Sequence, residues 1–194
     1  MAKHKAKANK VKKQKAPYDI EKLSLQQTES DITVQFYDFA FTPIKTSGFT
    51  NYLKDEQEWM QKYKRIFGEI IPEIQGKNFS EIQSNRKYHF HQITENEHIK
   101  LCSKIICELY KKQKHLKSIN SREKEYLTQK FLDAELYQIG INEIDCVRLV
   151  FIINNNTLEV IFFDMHHLIY DSIKYNDRDY QKYNFFPILE LAVK

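Results

Sequence analysis

The sequence is poor in the residues that make linkers and phosphate-binding loops. It contains four glycines and four prolines in 194 residues, which excludes collagen-like and low-complexity proteins and favours long regular elements. The motifs G-x-x-x-x-G-K-[ST], G-x-G-x-x-G and G-x-S-x-G do not occur. Nucleotide hydrolysis and dinucleotide redox chemistry are therefore disfavoured, and no cofactor is predicted.

Cysteines and long apolar runs are also scarce. The three cysteines, Cys102, Cys107 and Cys146, form no C-x-x-C pair, and we expect them to be reduced core residues. No stretch approaches the ~20 consecutive apolar residues of a membrane span, and the first residues lack the apolar centre of a secretory signal. The sequence therefore predicts a cytoplasmic protein without a membrane partner.

Positive charge is concentrated at the N-terminus. The net charge is +4, yet the first 15 residues contain no acid and seven lysines: Lys3, Lys5, Lys7, Lys10, Lys12, Lys13 and Lys15. Like charges with few apolar groups cannot offset their conformational entropy by burial, so we predict a disordered basic arm over residues 1–17 and a single α+β domain over residues 18–194. The arm has two interpretations, a solubilising tail or a contact with nucleic-acid phosphates.

Hydrophobic periodicity predicts an α+β fold. Period-2 alternation over 32–36, a shorter alternation over 87–93, and β-branched and aromatic runs over 136–141, 146–153 and 158–163 predict strands. The triplet Asn154, Asn155 and Asn156 predicts a hairpin turn, because asparagine tolerates positive φ. We therefore expect an antiparallel sheet of four or five strands, with a C-terminal three-strand meander, backed by two or three helices.

Three helices are predicted from apolar stripes. The first runs from about residue 52 and is closed by Pro72 and Gly76. The second begins with Thr94 as N-cap and Glu97 as its capping-box partner, and the third has Ser121 as N-cap. The apolar run from Phe185 to Val193 is expected to dock on the body.

The candidate catalytic residues cluster after the last predicted strand. Asp164, His166, His167 and Tyr170 follow that strand, while His91 lies on a second predicted strand, two residues from His89. Histidines beside a carboxylate or tyrosine can act as general acid and base, and Arg148 supplies a cation, which is the residue set of a metal-independent ribonuclease. The same residues could instead be hydrogen-bonded structural groups at a sheet edge. No H-E-x-x-H or comparable spacing occurs, so no metal is predicted.

The stretch from Tyr170 to Tyr183 alternates tyrosines with the cations Lys174, Arg178 and Lys182. Aromatic faces stack on bases and cations bind phosphates, so this stretch is a candidate single-strand nucleic-acid surface. The alternative is a tail anchored by tyrosines whose hydroxyls reach water.

The segments Leu136–Gly140, Val147–Phe151 and Phe163–Tyr170 resemble the closing strands of small uncharacterised proteins of bacteria, phages and mobile elements, in which a strand ends in D-x-x-H-x-x-Y. The same hairpin is distantly similar to RelE/ParE-type toxins. That resemblance implies mRNA cleavage or poisoning of a partner, with Arg148, His167 and Tyr170 at the matching positions.

Three functional hypotheses follow. The first is a nucleic-acid-associated binding or accessory protein of a mobile-element or phage-defence system, whose partner is nucleic acid or a nucleoprotein complex. The second is a RelE-like ribonuclease toxin. The third is a protein–protein adaptor without nucleic-acid affinity.

Overall fold

A computed structural model describes residues 31–115, 119–141, 146–171 and 179–187. The strands are β1 (Thr33–Phe36), β2 (Lys45–Thr46), β3 (Phe49–Thr50), β4 (His91–Gln92), β5 (Tyr137–Ile139), β6 (Arg148–Asn154) and β7 (Thr157–Asp164). The helices are α1 (Glu56–Arg65), α2 (Ile71–Ile74), α3 (Phe79–Ser84), α4 (Asn96–Gln113) and α5 (Ser121–Asp133). The predicted α+β class is confirmed. No helix in these ranges has the length and apolar character needed to cross a membrane.

A five-stranded sheet in the order β1-β7-β6-β5-β4 forms the centre of the fold. Strands β5, β6 and β7 are antiparallel neighbours, which confirms the predicted meander. Asn154 pairs with Thr157, so the hairpin turn contains two residues, and Asn155 takes the positive φ of 53° that such a turn requires. The predicted asparagine turn is therefore confirmed.

Strand β1 departs from the expected antiparallel arrangement. It pairs in parallel with β7, with Val34 beside Leu158 and Phe36 beside Val160. A parallel pair needs a long crossover, and here the connection contains the helices and strands β2 to β6. Strand alternation alone does not report the direction of pairing, because both arrangements have the same period of two.

Helices cover both faces of the sheet. On one face, Leu149, Phe151 and Val160 pack in a core with residues of α2 and of the helical turns beside it. On the other face, Val150 and Phe162 pack against the apolar stripe of α4 and residues of α5. Because both faces are buried, each large apolar side chain of β6 and β7 contributes on the order of 1.5–3 kcal/mol of burial free energy.

The first helix begins later than predicted, and Pro72 does not end it, but the predicted end before Gly76, which takes a left-handed φ of 78°, is confirmed. It starts at Glu56, where Asp55 caps it by accepting a hydrogen bond from the Glu58 backbone N–H at 2.9 Å. It then continues past Pro72 to Ile74 through a π-helical stretch, Ile66–Ile70. Proline has no N–H to donate to the carbonyl four residues earlier. The π-helical turns lie directly before Pro72, where this hydrogen bond is missing.

Two predicted N-caps are wrong by one residue. Helix α4 has Glu95 at the N-cap position and no side-chain capping bond, so the predicted box of Thr94 and Glu97 is absent. Before α5, the side-chain Oδ1 of Asn120 accepts from the Glu123 backbone N–H at 2.9 Å, and the Glu123 carboxylate accepts from the Asn120 backbone N–H at 3.4 Å. Asn120 therefore performs the role expected of Ser121.

The strand predicted over 87–93 is mostly wrong. Arg86–Tyr88 forms a 3-10 turn, and His89 then takes a left-handed conformation with φ of 40°. Only His91 and Gln92 pair with the sheet. The two histidines are therefore not neighbours on one strand.

The C-terminal segment returns to the body where it is described. Phe185 forms an isolated bridge with Leu53, and Phe186 is buried with its ring edge-on to Tyr52 at 5.9 Å. Docking of this apolar run is confirmed for residues 185 and 186. The predicted arm, residues 1–17, lies outside the described residues.

The carboxylate of Asp164 organises the turn that ends β7. It is 1% exposed. Its Oδ1 accepts from the backbone N–H of His166 at 3.3 Å and of Leu168 at 2.8 Å, and its Oδ2 accepts from that of Ile169 at 2.8 Å. A buried carboxylate with several N–H donors is well satisfied, so this side chain fixes the path of the chain from β7 to Tyr170.

Replacing this carboxylate should destabilise the fold in graded steps. Asp164→Ala leaves buried N–H groups without an acceptor and should lower the free energy of unfolding by about 3 kcal/mol, whereas Asp164→Asn keeps one acceptor oxygen and should lose about half of that. Urea denaturation measures both. Asp171→Ala, at an exposed carboxylate nearby, should stay within about 0.5 kcal/mol of the parent. Equal effects of the two alanine variants would contradict this role.

Gly140, at the end of β5, is packed against Arg148. A Cβ atom at this position would lie 2.6 Å from the Arg148 Cδ and Nη1 atoms and 2.8 Å from the Val147 carbonyl oxygen. The exposed Gly68, in the π-helical stretch, offers a contrast, because a Cβ there would meet only the Lys64 Cγ at 3.8 Å.

The two glycines should therefore respond oppositely to alanine. Gly140→Ala forces Arg148 and its backbone to move and should cost about 1–3 kcal/mol of stability. Gly68→Ala improves helix propensity and should be neutral or stabilising by up to about 1 kcal/mol. Thermal unfolding compares the two proteins, and a Gly140→Ala protein as stable as the parent would show that Arg148 is not held there.

Candidate functional site

Side chains from four distant parts of the chain meet at one end of the sheet. The register places His91 opposite Gln138, and Arg148 opposite Asp164. The N-terminal turn of α4 and the turn after β7 lie beside this end. We call the group the sheet-end cluster, and its members are His89, His91, Glu95, His98, Gln138, Arg148, His167 and Tyr170.

His91 is held by hydrogen bonds at both ring nitrogens. Its Nε2 lies 2.7 Å from the Gln138 Nε2, and its Nδ1 lies 3.2 Å from the Gln92 carbonyl oxygen. Since the amide nitrogen donates, the ring accepts at Nε2 and carries its proton at Nδ1. The Gln138 Oε1 is buried and has no hydrogen-bond partner. Rotating this amide by half a turn would present Oε1 to a protonated ring, so Gln138 can pair with both charge states of His91.

Glu95 joins α4 to the turn after β7. Its Oε2 accepts from the Tyr170 hydroxyl at 2.7 Å and lies 3.4 Å from the His98 Nδ1. The Tyr170 hydrogen bond is the largest of the causes that lower the pKa of Glu95 to about 2. Burial, and then the same hydrogen bond, raise the pKa of Tyr170. At neutral pH the pair therefore consists of a carboxylate and a protonated phenol.

The Tyr170 ring lies between two imidazoles. Its centroid is 4.0 Å from that of His98 and 5.0 Å from that of His91, where the two rings meet edge to face. The two histidine segments are therefore neighbours: His91 contacts the Tyr170 ring, and His167 lies close enough to His89 for its charge to affect that ring. The sequence had left this point open.

His89 and His167 both have left-handed backbones, with φ of 40° and 59°. His89 is exposed, and partial burial of its ring lowers its pKa, followed by the positive charges of Arg148, His167 and His91. The Nδ1 of His167 bonds the Tyr170 carbonyl oxygen. Because a carbonyl only accepts, Nδ1 carries the proton, and Nε2 holds the lone pair when the ring is neutral.

Arg148 contributes charge from beneath the surface. It is 7% exposed, its Nη1 donates to the Val147 carbonyl oxygen at 2.9 Å, and its side chain covers Gly140. Its guanidinium stays charged at every relevant pH. Arg148 therefore acts on the exposed His89 mainly through its field.

Two predicted catalytic residues do not face the cluster. Asp164 is occupied by the turn described above. His166 is 1% exposed, its Nε2 donates to the Tyr52 carbonyl oxygen at 2.8 Å, and its ring stacks on Tyr180 at 4.2 Å. Burial is the largest cause that lowers its pKa. The structure thus brings together His91, Arg148, His167 and Tyr170, and gives Asp164 and His166 structural contacts.

The predicted nucleic-acid residues lie largely outside the described residues. This holds for Lys174, Arg178 and the seven lysines of residues 1–15. Lys182 is described, and its ammonium pairs with Asp179 at 3.1 Å on the surface.

Sequence reasoning missed Glu95, His98 and Gln138 as site residues. The spacing of Glu95 and His98, three residues apart at the start of a predicted helix, places both on one side of its first turn and was the available signal. Gln138 carried no signal, because only pairing of β5 with β4 brings it to His91.

The arrangement suits anions and proton transfer. Four imidazoles and a guanidinium lie close together, and the nearby carboxylates of Asp164 and Glu95 are engaged by donors. Within the described ranges, no group of three His, Cys, Asp or Glu side chains is arranged to hold a metal ion.

Comparison with known proteins gives a family. The model of a family described as "Uncharacterised protein UU032" matches residues 35–192. A protein of Ureaplasma parvum serovar 3, which carries the same description, is 27% identical over 187 residues, covering 93% of this chain and 94% of that protein. No solved structure matches. Since the family model spans the sheet, the helices and the sheet-end cluster, the chain belongs to this bacterial UU032 family.

Proposed function

We propose that the protein binds nucleic acid and that the sheet-end cluster contacts its phosphate groups. The observation that carries the proposal is that the buried Arg148 and the imidazoles of His167 and His91 all lie close enough to the exposed His89 for their charges to act on it. Imidazoles donate hydrogen bonds to phosphate oxygens, and the buried guanidinium attracts a phosphate through its field. An exposed His89 is the member best placed to meet a ligand from solvent.

Electrostatics favours an anion at this position. Partial burial of the ring, and then the field of Arg148, His167 and His91, lowers the pKa of His89, so protonating this ring costs free energy while the cluster is unoccupied. The nearby acids already have hydrogen-bond donors, so they do little to stabilise a protonated His89. Asp164 accepts from backbone N–H groups, and Glu95 accepts from Tyr170 and lies near His98. Glu97 lies beside His98. A bound phosphate would supply the missing negative charge and raise the pKa of His89.

Planar rings provide the second part of a nucleic-acid contact. Tyr170, His91 and His98 are packed ring against ring and are each partly exposed. Aromatic and imidazole rings stack on unpaired bases, which makes single-stranded nucleic acid the preferred form. The lysines of residues 1–15 would add a contact that depends on salt but not on sequence. A role in a mobile-element or phage-defence system stays a prediction.

Binding should strengthen as pH falls. A phosphate that raises the pKa of His89 couples binding to proton uptake. The resulting gain in affinity is complete below the pKa of His89 in the free protein, which lies under 6.5. The gain is lost as pH rises through the higher pKa of His89 in the complex. Fluorescence anisotropy with a short single-stranded RNA should give about tenfold tighter binding at about pH 5.5 than at about pH 7.5, equivalent to one unit of pKa change. His89→Asn should remove most of this difference.

The matched control for His89→Asn is His115→Asn. His115 also has a left-handed backbone, with φ of 53°, and lies after the far end of α4, and asparagine tolerates this conformation. His115→Asn should keep the parent's pH dependence. Removing residues 1–15 should flatten the salt dependence and leave the pH dependence in place. Equal behaviour of the two asparagine variants would contradict the proposal, and no RNA affinity at low salt would favour the adaptor hypothesis.

RNA cleavage is a second candidate, favoured by the bond between the His167 Nδ1 and the Tyr170 carbonyl oxygen. That bond directs the lone pair to Nε2, as a general base requires. Such a base would take the proton of a ribose 2′-hydroxyl as its oxygen attacks phosphorus. The departing 5′-oxygen would take a proton from a protonated imidazole of the sheet-end cluster, because the Tyr170 hydroxyl already donates its proton to Glu95 and positions that carboxylate. This is the activity implied by the resemblance to RelE/ParE-type toxins.

Cleavage should survive a chelator and depend on His167. Labelled RNA incubated with the protein and excess chelator should yield fragments with 2′,3′-cyclic phosphate ends. His167→Asn, which suits the left-handed backbone, should slow the reaction by about a hundredfold or more, and His115→Asn should not. The same substitution should relieve growth arrest on expression. Intact RNA, with binding retained, would leave the protein as a non-catalytic binder.

A further inference from the structure

A cleft of about 390 Å³ lies at the opposite end of α4 from the sheet-end cluster. Helix α4 has 18 residues, so its two ends are about 27 Å apart. Strand β1, the residues after it, the end of α4, helix α5 and one residue of β7 line the cleft. Its volume falls within the range of about 300–1,000 Å³ that is typical of small-molecule sites.

One wall of the cleft consists of aromatic rings in fixed orientations. The ring of Tyr37 stacks on Phe39 at 5.3 Å, with 20° between planes, and meets Phe131 edge-on at 5.7 Å. Burial, and then the charge and hydrogen bond of Glu159, raise the pKa of Tyr37 to about 12. The Tyr37 hydroxyl is therefore protonated and held by Glu159, and the ring presents a rigid planar surface.

The charged residues that line the cleft are two lysines, Lys114 and Lys130, and two acids, Asp38 and Glu159. Lys130 is exposed, and its Nζ lies 5.7 Å from the Tyr37 ring centre and 5.4 Å from that of Phe131. Neither Lys130 nor Lys114 forms an ion pair with a carboxylate of the described residues. The carboxylates of Asp38 and Glu159, by contrast, have hydrogen-bond donors within reach.

Those donors belong to neighbouring side chains. The Glu159 Oε1 accepts from the Asn154 amide at 3.0 Å, in addition to the Tyr37 hydroxyl, and the Asp38 Oδ2 lies 3.5 Å from the Gln113 amide nitrogen. The two acids are held by hydrogen-bond donors, and the two lysines form no ion pair within the described residues, so the lysines are the charged groups that a phosphate can pair with beside the Tyr37 ring.

We infer that this cleft is a nucleotide-binding site, separate from the sheet-end cluster. The base stacks on the face of the Tyr37 ring that the Lys130 ammonium now covers, and the phosphate pairs with Lys130 and Lys114. The stacked base takes the position now covered by the Lys130 ammonium, which turns toward the phosphate. A free mononucleotide and one nucleotide of an RNA strand share this chemistry.

Adenosine monophosphate is the probe, measured by isothermal titration calorimetry on the full chain. Lys130→Gln removes the charge and keeps most of the side chain, and Lys124→Gln does the same at an exposed position of α5 that does not line the cleft. We expect Lys130→Gln to weaken binding by about tenfold, the loss of one partly exposed phosphate contact, and Lys124→Gln to change it by less than about twofold. Adenosine, which lacks the phosphate, should bind both variants equally.

The source of the nucleotide is resolved by a second probe, a short oligoadenylate RNA. If adenosine monophosphate binds and responds to Lys130→Gln, the site takes free nucleotides. If only the RNA responds to Lys130→Gln, the site takes a nucleotide of a strand. Equal effects of Lys130→Gln and Lys124→Gln on both probes would overturn the inference. His89→Asn should leave adenosine monophosphate binding unchanged, so the two sites can fail independently.

Discussion

The carboxylate of Asp164 accepts hydrogen bonds from three of the next five backbone N–H groups, and the positions of His166, His167 and Tyr170 depend on this turn. Without this carboxylate, these three backbone N–H groups would lose their acceptor. With it, His166 is directed to Tyr52 and Tyr180, while His167 and Tyr170 are directed to α4. One buried side chain thus separates two adjacent histidines into a structural and a candidate functional residue.

The sheet-end cluster brings several imidazoles that can become positive close to the permanent charge of Arg148, and neighbouring contacts stabilise this arrangement. Gln138 can pair with either charge state of His91, Glu95 holds Tyr170 and His98 in place, and the depressed pKa of His89 keeps it neutral in the absence of a ligand. The cluster is therefore preorganised but incompletely neutralised. Such a site favours an anion, because a bound anion offsets the repulsion that protonating these rings beside Arg148 would otherwise create.

Features set by neighbouring residues were predictable from sequence, and features set by distant contacts were not. The Asn155 turn and the alternation around Val34 are local, and the structure confirms both. The predicted capping box of Thr94 and Glu97 is absent. The residue at the N-cap position is Glu95, whose carboxylate accepts a hydrogen bond from the hydroxyl of Tyr170, 75 residues later. Parallel pairing of β1 and the burial of His166 likewise depend on tertiary packing. Residue type identified the chemistry of the candidate site, and only packing determined which residues face it.

Helix α4 connects the two proposed sites as a rigid element. Its apolar stripe, which includes Ile105 and Leu109, is buried against the sheet, so the helix cannot rotate without exposing that stripe to water. Its first turn supplies Glu95 and His98 to the sheet-end cluster, and its last residues border the cleft beside Tyr37. The core that stabilises the fold therefore also fixes the separation of the two sites. A ligand that displaced either end of α4 would have to do so against the burial free energy of the whole helix.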